Sequence, residues 1–347
     1  MLGKDTVLFV VDDTFVSAER IKNALNEDSG FLGIVVRSSE LVNKLKLRTE
    51  RPRRFLQMKV WKPISVFAHK FSEKIRIPRE PFLCDVMSKK KVYNMLFRYA
   101  PAAIVVNDAT IRYSLEEGIR RAGMNVRIFV YSDELGFDYS LIGESVNHYF
   151  VDNISVRDGI RDKGVPASAI DVNPLPVESE YFEDIDVGVA KQRIGFEPTK
   201  KLCVIRLGNG MPFETVESVR DTIFVTADAT TTEKGAETGK ESRPSETELF
   251  RAADFIAARF DSHTVKRAAA LKKPLILICD GEKTEEEAEY LVAEGKAAVV
   301  KNGEELAALI EKAETGELAL SFDDADPAAQ DKVAARIKEL ICEAKIQ

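Results

Sequence analysis

The chain has 347 residues, of which 45% are hydrophobic and 31% charged, and its formal net charge is −7. These proportions exclude wholesale disorder, and the length favours two domains. No apolar run approaches the roughly 20 residues that a membrane span requires. The first residues lack the pattern of a signal peptide, and the four cysteines are scattered through apolar segments. We therefore expect a cytoplasmic protein with reduced thiols.

The first half of the chain alternates between predicted strands and helices. Short apolar runs rich in β-branched residues predict buried strands, at 6–11, 33–36, 103–106, 126–130, 148–151 and 169–172. Apolar residues at helical spacing predict helices between them, at 15–25, 81–98, 111–122 and 154–163. Strand–helix–strand units at this pitch indicate a parallel, doubly wound sheet.

A second series of the same kind occupies the other half. It contains five predicted strands, at 202–205, 223–226, 254–257, 274–278 and 297–300. Helices are predicted at 262–272, 284–294, 303–313 and 327–345. The last of these carries Val333, Ile337, Leu340 and Ile341 on one stripe, so it must pack against another element.

Two polar segments interrupt this pattern. Residues 229–248 contain no large hydrophobic residue, which predicts a mobile loop. Residues 178–186 are acidic and aperiodic, as in a joint between domains. We therefore predict an N-terminal domain over 1–178, a C-terminal domain over 179–325 and a terminal helix over 326–347.

The segment from Lys44 to Lys91 is strongly basic, with 15 Lys and Arg residues against 4 acidic ones. Aromatic residues are interleaved with these cations, a composition that suits the interface of an anionic membrane. The candidate membrane-binding residues are Arg51, Arg53, Arg54, Phe55, Lys59, Trp61 and Lys62. Binding of nucleic acid by this segment is a less favoured interpretation, because no RNA-binding motif accompanies it. A solvated helix face is the plain alternative.

Three passages resemble one family of glycosyltransferases. They are 99–107 with 126–133 and 146–151, then 156–177, then 249–254 with 264–277. Together they are similar to the monogalactosyldiacylglycerol synthase and processive diacylglycerol glucosyltransferase family. The resemblance implies a GT-B fold, with two Rossmann-like domains, and a C-terminal helix that packs back on the first domain. It also implies transfer of a sugar from a nucleotide sugar to a lipid acceptor.

The chain departs from that family at the expected donor and acceptor positions. The family has a glycine-rich loop with a histidine after the first strand, whereas this chain has Asp12-Asp13-Thr14-Phe15. Asp261 and Ser262 replace a Gly-Gly pair whose backbone would approach a diphosphate. Arg267 replaces a glutamate that would hold the ribose. With five strands where six are expected, the C-terminal domain is predicted to be shortened.

The candidate site residues come from these passages and from two loops. One is Gly208-Asn209-Gly210, after the first predicted strand of the C-terminal domain, and the other is Cys279-Asp280-Gly281-Glu282, where the family has a Pro-Gly-Gln-Glu loop. Asp133, at the end of a predicted strand, is the candidate catalytic residue, and Asp13 is a weaker one whose plainer role is to cap a helix. The donor-binding candidates are Gly208, Gly210, His263, Thr264, Arg267, Gly281 and Glu282. For the Gly208–Gly210 pair a plain tight turn is the favoured interpretation, and a cradle of backbone amides for a phosphate is the alternative. No metal site and no cofactor are predicted, and a UDP-sugar is the candidate donor.

Two functions are compatible with this sequence. The favoured hypothesis is a diverged family member with lost or reduced glycosyl transfer, acting as a binding or regulatory protein on the inner membrane face or on a protein partner. The alternative is an active GT-B transferase that moves a sugar to a lipid.

Overall fold

The computed structural model describes residues 4–12, 15, 17–41, 89–132, 137–173, 176–207, 218–227, 244–279, 282–315 and 325–346. The chain divides into two compact units. The first unit extends to Asn173 and resumes at Gln330, and the second comprises Pro174–Ala329 between them.

The first unit is built on a parallel sheet. Its strands are β1 (Asp5–Val11), β2 (Phe31–Arg37), β3 (Ala103–Val106), β4 (Arg127–Tyr131), β5 (Val146–Val151) and β6 (Ile170–Val172). In the described residues their order is β2-β1-β3-β4-β5-β6. The helices are α1 (Ser17–Asn26), α2 (Ser38–Leu41), α3 (Lys89–Tyr99), α4 (Ala109–Ala122) and α5 (Ile154–Asp162), and 3-10 turns lie at Tyr139–Leu141 and Ala167–Ala169.

The second unit repeats this architecture. Its strands are β7 (Lys201–Arg206), β8 (Ser218–Val219), β9 (Thr222–Thr226), β10 (Phe255–Arg259), β11 (Leu275–Ile278) and β12 (Ala297–Val300). Their order among the described residues is β12-β11-β10-β7-β9-β8, with β8 antiparallel to β9. The helices are α6 (Val187–Arg193), α7 (Glu246–Ala252), α8 (Ser262–Ala270), α9 (Glu282–Ala293) and α10 (Gly303–Glu314), and a 3-10 turn lies at Ser179–Phe182.

The apolar runs of the sequence are the central strands. Residues Val7 to Val11 of β1 and all of β3 are fully buried, because helices cover both faces of a parallel sheet. The predicted α/β class is confirmed, as are the five parallel strands of the second unit. The antiparallel strand β8 was not predicted, since two residues are too few to show an alternating pattern.

The predicted loop over 229–248 is too long at its C-terminal end, because α7 begins at Glu246. Ser245 accepts a hydrogen bond from the backbone N–H of Glu248, whose side chain in turn accepts from the backbone N–H of Ser245. This capping box starts α7 inside the predicted loop. Residues 228–243 lie outside the described residues.

The segment predicted as a joint contributes to the second unit. Tyr181 of this segment and Val177 just before it are buried in a hydrophobic cluster with residues of β7, β10 and α8. The clustering of the chain places Pro174 and the residues after it in this unit.

The terminal helix α11 (Ala329–Ile346) lies with the first unit from Gln330 onward. Its predicted apolar stripe, from Val333 to Ile341, is buried. Ion pairs hold its other faces: Lys345 Nζ lies 2.7 Å from Asp5, and Lys338 Nζ lies 3.6 Å from Asp28. These ion pairs link the helix to the start of β1 and to the connection between α1 and β2.

A buried histidine completes this attachment. His148 of β5 is 1% exposed, and its Nε2 lies 2.8 Å from Asp171 Oδ2 in β6. Arg336 of α11 donates from Nε to the same oxygen at 2.9 Å. The hydrogen bonds from His148 and then Arg336 hold the pKa of Asp171 below its ordinary value, although partial burial acts in the opposite direction.

The basic segment 44–91 contributes only Lys89 to Lys91 to the described residues, as the start of α3. The seven candidate membrane-binding residues, from Arg51 to Lys62, lie outside them. None of the helices that the structure describes has a stretch long and apolar enough to cross a bilayer.

We predict that Asp171→Asn destabilises the first unit by about 1 kcal/mol at pH 7, because it weakens two hydrogen bonds to a charged acceptor. A carboxyl group with a lowered folded-state pKa stabilises the fold above its unfolded pKa, about 4. That contribution is lost as the pH falls through the folded-state pKa. Urea unfolding of the variant and the parent should therefore differ at pH 7, and the difference should begin to shrink below about pH 4 and vanish once the pH is below the folded-state pKa.

Asp158→Asn is the matched control. Asp158 also has a lowered pKa, caused first by Arg157, but it is half exposed. Its replacement should change stability much less than that of Asp171, because solvent screens an exposed ion pair. An equally large effect at Asp158, or a difference at Asp171 that does not shrink as the pH is lowered below about 4, would contradict the assignment.

Candidate functional site

The candidate site lies at the carboxyl end of the second sheet, around the first turn of α8. Asp261 follows β10 and caps this helix, accepting hydrogen bonds from the backbone N–H groups of His263 and Thr264 at 3.2 and 3.3 Å. The Thr264 hydroxyl also donates to the Asp261 carboxylate. Asp261 therefore satisfies the amides that an anion would otherwise contact at this helix terminus.

Arg206 joins Asp261 from the neighbouring strand. It is the last residue of β7, paired in the sheet with Ala258 of β10. Its Nη1 donates to Asp261 Oδ2 and to Thr264 Oγ1, both at 2.7 Å. This guanidinium fixes the carboxylate at the start of α8.

Arg267 occupies the same face of α8 and also binds two carboxylates. Its Nη2 and Nε donate to the two oxygens of Glu178 at 2.9 and 3.3 Å, and its Nη1 donates to Glu246 Oε1 at 2.8 Å. The other oxygen of Glu246 accepts from Arg206 Nε at 3.0 Å. Glu246 therefore bridges the two arginines.

We call these five side chains the edge network: Glu178, Arg206, Glu246, Asp261 and Arg267. Burial alone would lower the pKa of Arg206, but the carboxylates of Glu246 and Asp261 raise it above its ordinary value. The pKa of Arg267 is raised in the same way, by Glu178 foremost, against the effect of burial. Three carboxylates face two guanidinium groups, so the network as it stands does not favour a dianionic ligand.

Tyr181 supports the network from the core of the unit. Its ring centroid lies 5.3 Å from Arg267 Cζ, and the side chain is 3% exposed. Burial raises the pKa of this phenol. The guanidinium is thus held in place on its apolar side as well as by its two carboxylates.

Of the predicted donor residues, the structure brings His263, Thr264 and Arg267 together on α8. Glu282 is the first residue of α9. Gly208, Gly210 and Gly281 lie outside the described residues. The roles given to these residues as donor contacts stay predictions.

Sequence reasoning missed three members of the network. Arg206 is an isolated arginine at the end of a strand, and Glu178 and Glu246 fall in segments that were read as a joint and a loop. The one available signal was Arg267 itself, since a partly buried arginine requires carboxylate partners.

A second cluster of polar side chains lies at the carboxyl end of the first sheet. Asp12 and Asn107 follow β1 and β3. The backbone N–H of Asp12 donates to Asn107 Oδ1, and Asn107 Nδ2 donates to Asp12 Oδ2, both at 3.2 Å. Arg37 donates to the carbonyl oxygens of Asp12 and Phe15 at 2.8 and 3.0 Å. These contacts tie the β1–α1 connection to β2 and β3. The catalytic candidates Asp13 and Asp133 both lie outside the described residues.

The part of the chain that the structure describes contains no group of three or more His, Cys, Asp or Glu residues that could hold a metal ion. At the carboxyl ends of both sheets, the polar side chains named above form hydrogen bonds with one another.

Comparison with known proteins gives the fold. No protein-family model matches the chain, and no curated protein sequence matches it. Among solved structures, S. aureus MnaA with UDP has a TM-score of 0.58 and 12% identity, covering 98% of this chain and 97% of that one. Acinetobacter baumannii MurG has a TM-score of 0.55 and 9% identity, with 97% and 100% covered. Anabaena HepE with UDP has a TM-score of 0.51 and 12% identity, with 99% of each chain covered. The chain has the two-domain, Rossmann-like GT-B fold.

We predict that Arg267→Lys destabilises the second unit by about 1 kcal/mol, because an ammonium group cannot donate in the fork geometry that serves Glu178 and Glu246 together. Thermal and urea unfolding measure the effect. Arg220→Lys is the control: Arg220 is half exposed, and its Nε lies 3.7 Å from Glu311. Equal effects of the two replacements would show that the two-carboxylate geometry contributes nothing.

Proposed function

We propose that this protein is a diverged relative of the GT-B enzymes that use nucleotide sugars, with glycosyl transfer lost or reduced, acting as a binding or regulatory protein at the inner face of the membrane. The finer kinship, with the diacylglycerol glycosyltransferases, rests on the sequence resemblance. The observation that carries the proposal is the Asp261 carboxylate, which occupies the N–H groups at the start of α8.

A diphosphate needs those N–H groups and an excess of positive charge. Here Asp261 accepts from two of the amides and is itself paired with Arg206. Arg267 stands where the resembled family has its ribose-binding glutamate, and its donors are already engaged by Glu178 and Glu246. Two elements of an ordinary donor site are thus changed together.

The alternative function is an active transferase with a changed donor contact. It is favoured by the fold shared with MnaA and HepE, both solved with UDP, and by the partial exposure of Arg206 and Arg267. In that case a UDP-sugar is the donor, and Asp133 is the base that accepts the proton of the acceptor hydroxyl. Turnover that Asp133→Asn abolishes without a loss of stability would establish it.

The membrane part of the proposal rests on the basic segment and on α3. Phe97 is 62% exposed and stacks with Tyr93, with ring centroids 6.1 Å apart. Lys90 and Asn94 share this outward face, and the helix contains no acidic residue. Aromatic side chains flanked by cations suit the headgroup region of an anionic bilayer. A cytoplasmic protein with this surface would bind the membrane reversibly.

We expect calorimetric titration with UDP to give no binding at millimolar nucleotide for the natural chain, and measurable millimolar binding for Asp261→Asn. Asparagine caps a helix as well as aspartate does but carries no charge, so the change isolates the electrostatic effect. Asp186→Asn is the control, since Asp186 caps α6 through the N–H of Val189 at 3.0 Å. Micromolar binding of UDP by the natural chain would overturn the proposal and favour the active enzyme.

We also expect the protein to bind vesicles rich in anionic phospholipid and to lose about tenfold or more in affinity when Arg51, Arg53 and Arg54 are changed to glutamine, since each basic residue near the surface contributes about 1 kcal/mol. The binding should weaken as salt is added. Vesicle co-sedimentation measures both effects.

The matched control neutralises three exposed cations of the second unit, Arg193, Lys272 and Lys312. It makes the same change in net charge without touching the basic segment. Binding that survives the change at the arginines, or that the control weakens equally, would rule out the electrostatic membrane contact.

A further inference from the structure

Glu246 holds a particular position within the edge network. Its two carboxylate oxygens bind two different arginines, Arg206 at 3.0 Å and Arg267 at 2.8 Å. The other two carboxylates each bind only one of these arginines, Asp261 on one side and Glu178 on the other. Glu246 is thus the only carboxylate among these five side chains that lies between the two guanidinium groups.

This bridge is accessible to solutes. The side chains of Arg206, Glu246 and Arg267 are 28%, 30% and 23% exposed. An ion pair at such a site exchanges with water and dissolved ions, unlike a pair sealed in the core. An incoming anion can therefore compete with Glu246 for the same donors.

The helix that carries Glu246 does not depend on the bridge. The capping box of Ser245 and Glu248 starts α7. Thr247 Oγ1 donates to Glu180 Oε1 at 2.8 Å, and Arg251 Nη2 pairs with Glu183 at 2.9 Å. Leu249 and Phe250 are buried in the core of the unit. Glu246 can leave the arginines while α7 stays in place.

We infer that Glu246 is an internal occupant of an anion site formed by Arg206 and Arg267, and that its bridge is an autoinhibitory contact against phosphate-bearing ligands. A planar carboxylate with one oxygen on each guanidinium uses the donors that a phosphate group would use. A tethered group acts at an effective concentration of the order of millimolar, so a weak free anion does not displace it. The inference rests on the proposal that this edge is an altered donor side.

Removing the bridge leaves two guanidinium groups facing two carboxylates, Asp261 and Glu178. The local charge of the network is then balanced, and one donor direction on each arginine is open to a new acceptor. A diphosphate can bind both arginines at once, whereas a monophosphate gains less from the second. The inferred ligand class is therefore a diphosphate, either alone or as part of a nucleotide.

The test compares Glu246→Gln with the natural chain by calorimetric titration with sodium pyrophosphate at low salt. We expect the variant to bind at least about tenfold more tightly, as removal of one adjacent negative charge predicts. Glu246→Asp should give a smaller gain, because a carboxylate one methylene shorter cannot reach both arginines. Thermal unfolding checks that each variant is folded. If one of the two Glu246 variants does not fold, the other still tests the inference.

Glu183→Gln is the matched control, since Glu183 pairs with Arg251 of the same helix and does not touch the bridge. The double variant Glu246→Gln, Arg267→Met should lose the gain. A gain of equal size in Glu183→Gln, no gain in either Glu246 variant, or a gain that survives the loss of Arg267 would overturn the inference.

A second titration with UDP separates this inference from the proposed function. Micromolar binding of UDP by the natural chain would contradict the proposed function, whatever result the Glu246 variants give with pyrophosphate. A gain for pyrophosphate alone supports an anion site without a nucleoside contact. A gain for both ligands supports a nucleotide site that Glu246 closes.

Discussion

The parallel arrangement of the strands is the constraint on which the rest of this structure depends. Each strand must be followed by a crossover that returns to the opposite edge, so the carboxyl ends of all parallel strands lie along one edge of their sheet. Arg206 and Asp261 are 55 positions apart in sequence, yet they meet because β7 and β10 are neighbours that end together. Asp12 and Asn107 meet in the first sheet for the same reason.

Most of the fold could be predicted because buried parallel strands must be apolar on both faces. The predicted strand at 274–278 became Leu275–Ile278, and the predicted helix at 154–163 became Ile154–Asp162. The start of α7 was missed because its first turn is polar and its cap, Ser245, lies within a long run without large apolar residues. Capping depends on hydrogen bonds between near neighbours, which a count of apolar residues does not register.

The candidate site could be predicted only in part. The resemblance to a glycosyltransferase family located the start of α8 and marked Asp261 and Arg267 as departures. It did not reveal what those residues bind, since Glu178 lies 89 positions from Arg267 and Glu246 lies 40 positions from Arg206. Charges so far apart form pairs only after the sheet has assembled. The shared fold is established by likeness to solved structures, whereas the bridge that Glu246 forms between Arg206 and Arg267 is a property of this chain's own residues.

The return of α11 to the first unit affects how the protein is made. The partners of Arg336 and Lys345, in β6 and β1, are synthesised long before this helix, and the whole second unit is translated in between. The nascent first unit must therefore wait, with the surface that receives Val333 and Ile337 uncovered, until α11 has been synthesised. A nascent chain with an open apolar surface is a substrate for chaperones. Completion of the first unit is thus coupled to synthesis of the whole second unit.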